Sequence, residues 1–103
     1  MPRPKKIPKK NLMDDAHTLM HPIRLQLVEL LGVEGPHYIN ELAKALGEDR
    51  QLVSHHLDVL EDYGFVESRY EISRNPRSLG HGLRIYQVTP KVAEVRAVLK
   101  MRL

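Results

Sequence analysis

The sequence predicts a mainly α-helical domain carrying one β-hairpin, in the order α-α-α-α-β-β-α. Three observations predict it. Apolar residues recur with helical period in five stretches, each opened by a capping residue or a proline. After Gly64 the period drops to two over residues 65–72 and again over 83–88, with a polar, turn-rich segment between. Finally, only Glu48 and Asp49 separate the glycine that stops the third helix, Gly47, from the start of the fourth.

The first helix begins at Asn11, a good cap, and carries Leu12, Met13, Ala16, Leu19 and Met20 as one apolar stripe. His21-Pro22 interrupts it, and Pro22 suits the first position of a new helix over about 22–33. Ile23, Leu25, Leu27, Val28, Leu30 and Leu31 leave only Gln26 and Glu29 as a clear polar strip there, so this is the expected core helix. Gly32, Gly35 and Pro36 break the chain, and Asn40 is expected to cap the short third helix, E-L-A-K-A-L.

Asp49 caps the fourth helix and Gly64 stops it. At about 100° per residue, Leu52, Val53, Leu57, Val59 and Leu60 share one side, and Gln51, Ser54, His55, Asp58 and Asp62 share the other. Over the first turn and a half the polar face offers Arg50, Gln51, Ser54 and His55, short or hydrogen-bonding heads that suit base edges in a major groove. Two helices joined by so tight a turn make a helix-turn-helix.

In the strand that follows, Val66, Ser68, Tyr70 and Ile72 face one way and Glu67, Arg69 and Glu71 the other. The long hairpin tip holds Arg74, Arg77 and His81, with Arg84 just inside the return strand. A hairpin in this place is a wing, which makes the expected fold a winged helix-turn-helix. Thr89 caps the last helix, Pro90 opens it, and Val92, Val95, Leu99 and Leu103 form its stripe. The two terminal stripes could pack on each other, but a second copy of the chain is the more economical cover. Leu12, Ala16, Leu19, Val92, Val95 and Leu99 are the candidate homodimer interface, since a two-fold dimer also matches a two-fold DNA site.

At 103 residues the chain is expected to form one domain over 11–103, preceded by an arm, residues 1–10. The net charge is +3, yet Arg3, Lys5, Lys6, Lys9 and Lys10 fall in the arm without an acid. The other eleven bases face thirteen acids, so a slightly acidic body carries a basic arm. Three prolines disfavour a helix and favour an extended, mobile segment there, expected to be either a solubilising tail or a tracker of phosphates. There is no cysteine, which excludes disulfides and thiolate metal sites. No apolar run approaches a membrane span and no hydrophobic signal region opens the chain, so the expected compartment is the cytoplasm.

The chain resembles the arsenic-repressor (ArsR) family of dimeric winged-helix transcription regulators. The resemblance is carried by H-P-I-R-L-Q-L-V-E-L-L at 21–31, E-L-A-K-A-L-G at 41–47, L-V-S-H-H-L-D-V-L at 52–60, G-F-V-E-S-R at 64–69 and I-Y-Q-V-T-P at 85–90. It implies that Arg50, Gln51, Ser54 and His55 occupy base-reading positions and that the first and last helices form the dimer interface. Two departures remove the family's metal sites. Tyr38 and Asn40 stand where many members carry Cys-x-Cys, and residues 90–103 contain neither Asp nor His. The wing tip is also several residues longer than usual.

No metal or other cofactor is therefore expected. His17 and His21 have ligand spacing, but Pro22 follows and no third ligand is near in sequence. His56 points toward the apolar flank of its helix and is expected to pack. An enzyme is not expected: there is no Gly-rich phosphate loop, and Ser54 and His55 diverge by about 100° around their helix, the wrong geometry for a nucleophile and its base.

The expected function is a homodimeric, sequence-specific regulator of double-stranded DNA. The helix over 50–62 reads a major groove, the wing over 73–84 holds backbone or minor groove, and the arm adds phosphate contacts. The rival is a winged helix used as a protein-interaction module, for which Asp58, Glu61 and Asp62 count because carboxylates sit poorly beside phosphate. No effector can be named from the sequence.

Overall fold

The computed structural model describes residues 11–72 and 82–102. The basic arm and the wing tip with Arg74, Arg77 and His81 lie outside them. The elements are α1 (Leu12–Leu19), α2 (Pro22–Glu34), β1 (His37–Tyr38), α3 (Ile39–Leu46), α4 (Arg50–Asp62), β2 (Val66–Ile72), β3 (Gly82–Val88) and α5 (Pro90–Arg102). This is the expected winged helix-turn-helix with one strand added.

Local chemistry accounts for the boundaries. Asn11 Oδ1 accepts from the Asp14 backbone N–H at 2.9 Å and opens α1. His21 Nδ1 accepts from Ile23 N–H at 3.2 Å, and Pro22, with no N–H to orphan, follows as the first residue of α2. Asp49 Oδ2 takes the N–H groups of Gln51 and Leu52 at 3.0 and 3.4 Å and opens α4. The turn between α3 and α4 depends on Gly47 at φ 68°, a left-handed conformation that costs glycine nothing. Gly64 repeats the device at φ 81°, and Phe65 N–H reaches back to the Leu60 carbonyl at 2.9 Å.

Asn40 does not cap α3. Tyr38 is the cap residue, and the Glu41 carboxylate turns back to accept its backbone N–H at 2.9 Å. Tyr38 is extended because it belongs to β1, which pairs antiparallel with β3, His37 opposite Tyr86 and Tyr38 opposite Ile85. The sheet order is β1-β3-β2. Between β2 and β3, Val66 lies opposite Val88, Ser68 opposite Tyr86, and Tyr70 opposite Arg84; opposed residues share a face.

The core gathers Leu27 and Leu31 of α2, Leu42 of α3, and Val53, Leu57 and Leu60 of α4, closed by Phe65 and Tyr86. The buried side of α4 is as expected except at Leu52, which stands at the edge of the stripe in the first turn and is 37% exposed. Leu19, Val92 and Val95, assigned from sequence to a second copy, are buried in the core of the single chain. Their stripes face inward because α1 and α5 pack on each other and on the body. Leu12 and Leu99 are partly buried against the same core, and Ala16 is half-buried. Among the described residues, the large apolar side chains still exposed on the terminal helices and their cap are Met13, Met20, Val98 and Met101; Leu103 lies outside them.

Lys91 fastens this arrangement. Its ammonium donates to Asp15 Oδ1 at 3.0 Å and to the Tyr63 carbonyl at 2.6 Å, and lies 4.9 Å from the Phe65 ring centroid. It thereby joins α1, the end of α4 and α5.

Candidate nucleic-acid interface

The exposed side of α4 is what a fully occupied core leaves over. With Val53, His56, Leu57 and Leu60 buried, the helical period turns Arg50, Gln51 and His55 to solvent and leaves Ser54 half-buried. The four predicted reading residues therefore share one turn and a half at the N-terminal end of a rigid helix. Arg74, Arg77 and His81, and Arg3, Lys5, Lys6, Lys9 and Lys10, lie outside the described residues.

His56 is the buried support beneath that face, 4% exposed. Its Nδ1 accepts from Arg24 Nε at 3.1 Å, and the same guanidinium donates through Nη1 to the Thr18 carbonyl at 3.1 Å. The His21 ring lies 4.4 Å from His56, centroid to centroid, and His55 lies at 5.1 Å. Arg24 thus ties the end of α1 and the start of α2 to the middle of the reading helix. The sequence reading missed it; the available signal was a charged residue on the side of α2 away from its Gln26 and Glu29 polar strip.

Burial pushes the His56 imidazole down from 6.5 to about 4, and positive charge at His21, Arg24 and His55 pushes the same way. The neutral ring is the folded form. An unfolded chain binds this proton more readily, so the stabilisation is complete above pH ~6.5 and is lost as pH falls through about 4. The difference is on the order of 3 kcal/mol at full extent. Thermal melts of wild type and His56→Gln between pH 7.5 and 4 check this. The wild type should lose stability more steeply on acidification; parallel curves would contradict the assignment.

Arg84 does not stand free on the wing. Its Nη2 is 2.8 Å from Glu61 Oε1 and its Nε donates to Ser68 Oγ at 3.0 Å. Glu61, counted from sequence for the protein-interaction reading, is therefore turned into the wing base. Tyr38, at the first position of the family's Cys-x-Cys run, donates its phenol to Glu71 Oε1 at 2.8 Å, and that bond holds its pKa above the ordinary value. Among the described residues no three His, Cys, Asp or Glu side chains are grouped to hold a metal ion. No helix among them is long and apolar enough to cross a membrane.

A tight-turned helix pair with an exposed polar reading face and a strand pair beside it defines a winged helix-turn-helix protein. Residues 19–69 match the family described as a helix-turn-helix domain. A stretch of 57 residues is 42% identical to the biofilm growth-associated repressor of Xylella fastidiosa, covering 55% of this chain and 49% of that protein. The chain thus spans about half the length of the curated relatives it matches. The crystal structure of the transcriptional repressor BigR from Xylella fastidiosa is 32% identical, with a TM-score of 0.64 over 87% of this chain and 81% of that one. A homodimeric winged helix-turn-helix DNA-binding domain from Mycobacterium bovis, of a possible ArsR-family transcriptional regulator, is 26% identical, with a TM-score of 0.63 over 84% of this chain and 71% of that one. The chain belongs to the ArsR-like family of winged helix-turn-helix transcriptional regulators.

Proposed function

We propose that this chain is a homodimeric, sequence-specific DNA-binding regulator that works without metal and catalyses no reaction. The N-terminal half of α4 enters the major groove, where Gln51, Ser54 and His55 read base edges and Arg50 reaches a base or phosphate. The wing, through Arg74 and Arg77 with His81, holds backbone or minor groove. Such a protein acts where the DNA is, in the cytoplasm. The observation that carries this reading is the reading face itself: Arg50, Gln51 and His55 exposed on a helix whose opposite side is buried. The homodimeric relative supports the two-fold arrangement.

Residues 1–10 supply phosphate contacts as an arm separate from the domain over 11–103. A gel shift on the DNA upstream of the chain's own coding sequence, repeated across salt concentrations, tests the assignment. The wild type should bind with a steep salt dependence. Deleting residues 1–10 should weaken specific and non-specific DNA alike. It should also flatten the slope of log K against log salt by ~0.9 for each phosphate that the arm neutralises. An unchanged slope would make the arm a solubilising tail. Absence of any shift at low salt would favour the protein-interaction reading.

A further inference from the structure

The base of the wing holds a closed polar ring. Glu61, near the end of α4, accepts from Arg84 Nη2 through Oε1 and from Ser68 Oγ through Oε2, both at 2.8 Å. Arg84 Nε completes the ring by donating to Ser68 Oγ at 3.0 Å. The guanidinium carbon lies 5.3 Å from the centroid of Tyr86, which is buried, and 5.9 Å from that of Tyr70, which is exposed. The cation therefore bridges the core and the emerging hairpin. Each charged side chain is about one-third exposed, so water competes only partly for these bonds. Past this point the hairpin leaves the body, as the exposure of Tyr70 (71%) and Leu83 (40%) records.

We infer that Glu61, Arg84 and Ser68 form a clamp that fixes the angle of the wing against the reading helix, and so sets where the wing meets DNA when α4 is seated. This rests on the DNA-binding reading above. Arg84 and Glu61 are then positioning residues rather than DNA contacts. Pairing with β1 and the burial of Val66, Ile85 and Tyr86 anchor the foot of the hairpin, and the ring adds a polar link to α4 where the strands leave the core. The ring joins α4 directly to both strands, so groove reading and wing placement become one rigid unit.

The clamp and simple electrostatics predict opposite signs. Glu61→Gln removes an acid from a DNA-facing protein and leaves Arg84 without its counter-charge, which by charge alone strengthens DNA binding. With the clamp, the same change weakens it by about tenfold, the effect expected when one or two phosphates beside the wing fall out of register. Hydroxyl-radical protection should also disappear at the site's flanks while persisting at its centre. Arg84→Lys, which keeps one bond to Glu61 and loses the fork to Ser68, should fall between.

The clamp is also readable without DNA. The chain has no cysteine, so spin labels at Glu48→Cys and Leu83→Cys, in protein diluted with excess unlabelled chain to suppress distances between protomers, report the distance between the helix-turn-helix and the wing. Glu61→Gln should broaden that distance distribution, and Arg84→Lys should broaden it less. An unchanged distribution overturns the clamp. A broadened distribution with unchanged or tighter DNA binding overturns its link to wing placement. A wild type that binds no DNA sinks the regulator reading and the DNA half of this inference with it, and the label distances tell the two failures apart.

Discussion

A chain carrying Met20→Glu and Val98→Glu is expected to sediment as a folded monomer and to lose most of its affinity for its operator. In the proposed homodimer the exposed apolar side chains of the terminal helices would be the surface that meets the second copy, because Leu19, Val92 and Val95 are already enclosed. Two carboxylates on that surface would each have to be desolvated in a dimer, at a cost of several kcal/mol. Each protomer would still present its own α4, so half-site recognition survives and only the linkage between half-sites is lost. Linked binding exceeds single-site binding by roughly 10²–10⁴-fold, which is the reduction expected here. Sedimentation velocity at micromolar concentration together with operator titration checks it. Leu99→Glu is a different test, since Leu99 is partly buried against the core and its substitution should also lower stability. A wild-type monomer, or a double variant that remains dimeric, would remove the terminal helices as the interface.

Lys91→Met is expected to lower unfolding free energy by about 3 kcal/mol, among the largest single effects a non-core residue should have here. The substitution leaves the Asp15 carboxylate, on a residue only 8% exposed, without its ammonium, and the Tyr63 carbonyl without its 2.6 Å donor. It retains an apolar side chain of similar length against the Phe65 ring, so the change isolates charge rather than packing. Adding Asp15→Asn should recover part of the stability, because the isolated buried charge is then gone. Urea unfolding of the wild type and the two variants, at one protein concentration so that dimerisation does not shift the midpoints, gives the comparison. A Lys91→Met midpoint equal to wild type, or a double variant worse than the single, would contradict a structural role for this pair.

The five helices, the turn after Gly47 and the facing of β2 were legible because each follows from short-range rules: period, cap, stop. β1 was not, since two residues carry no alternation; His37 and Tyr38 become a strand only when β3 arrives beside them. The cap of α3 failed for the same reason. The residues of α4 that face solvent and the packing of His56 beneath them were legible, but the partners that hold the helix in place were not. Arg24 finds His56 across 32 residues and Glu61 finds Arg84 across 23, pairings that only the packed fold creates. An amphipathic stripe says that a face is covered and leaves open by what. In α1 and α5 the cover proved to be the chain itself for Leu19, Val92 and Val95.

In the proposed function, sequence choice resides on the exposed N-terminal face of α4. That placement is tested most directly by the affinity of Gln51→Ala for the operator and for unrelated DNA of equal length, at matched salt. Gln51 is exposed and uncharged, and its backbone already satisfies the Asp49 cap, so the substitution removes only a reading head. Operator binding should weaken by about 1–3 kcal/mol while binding to unrelated DNA stays nearly constant, narrowing the ratio between them. An unchanged ratio, with discrimination abolished instead by deleting residues 1–10, would place the reading head elsewhere in the chain.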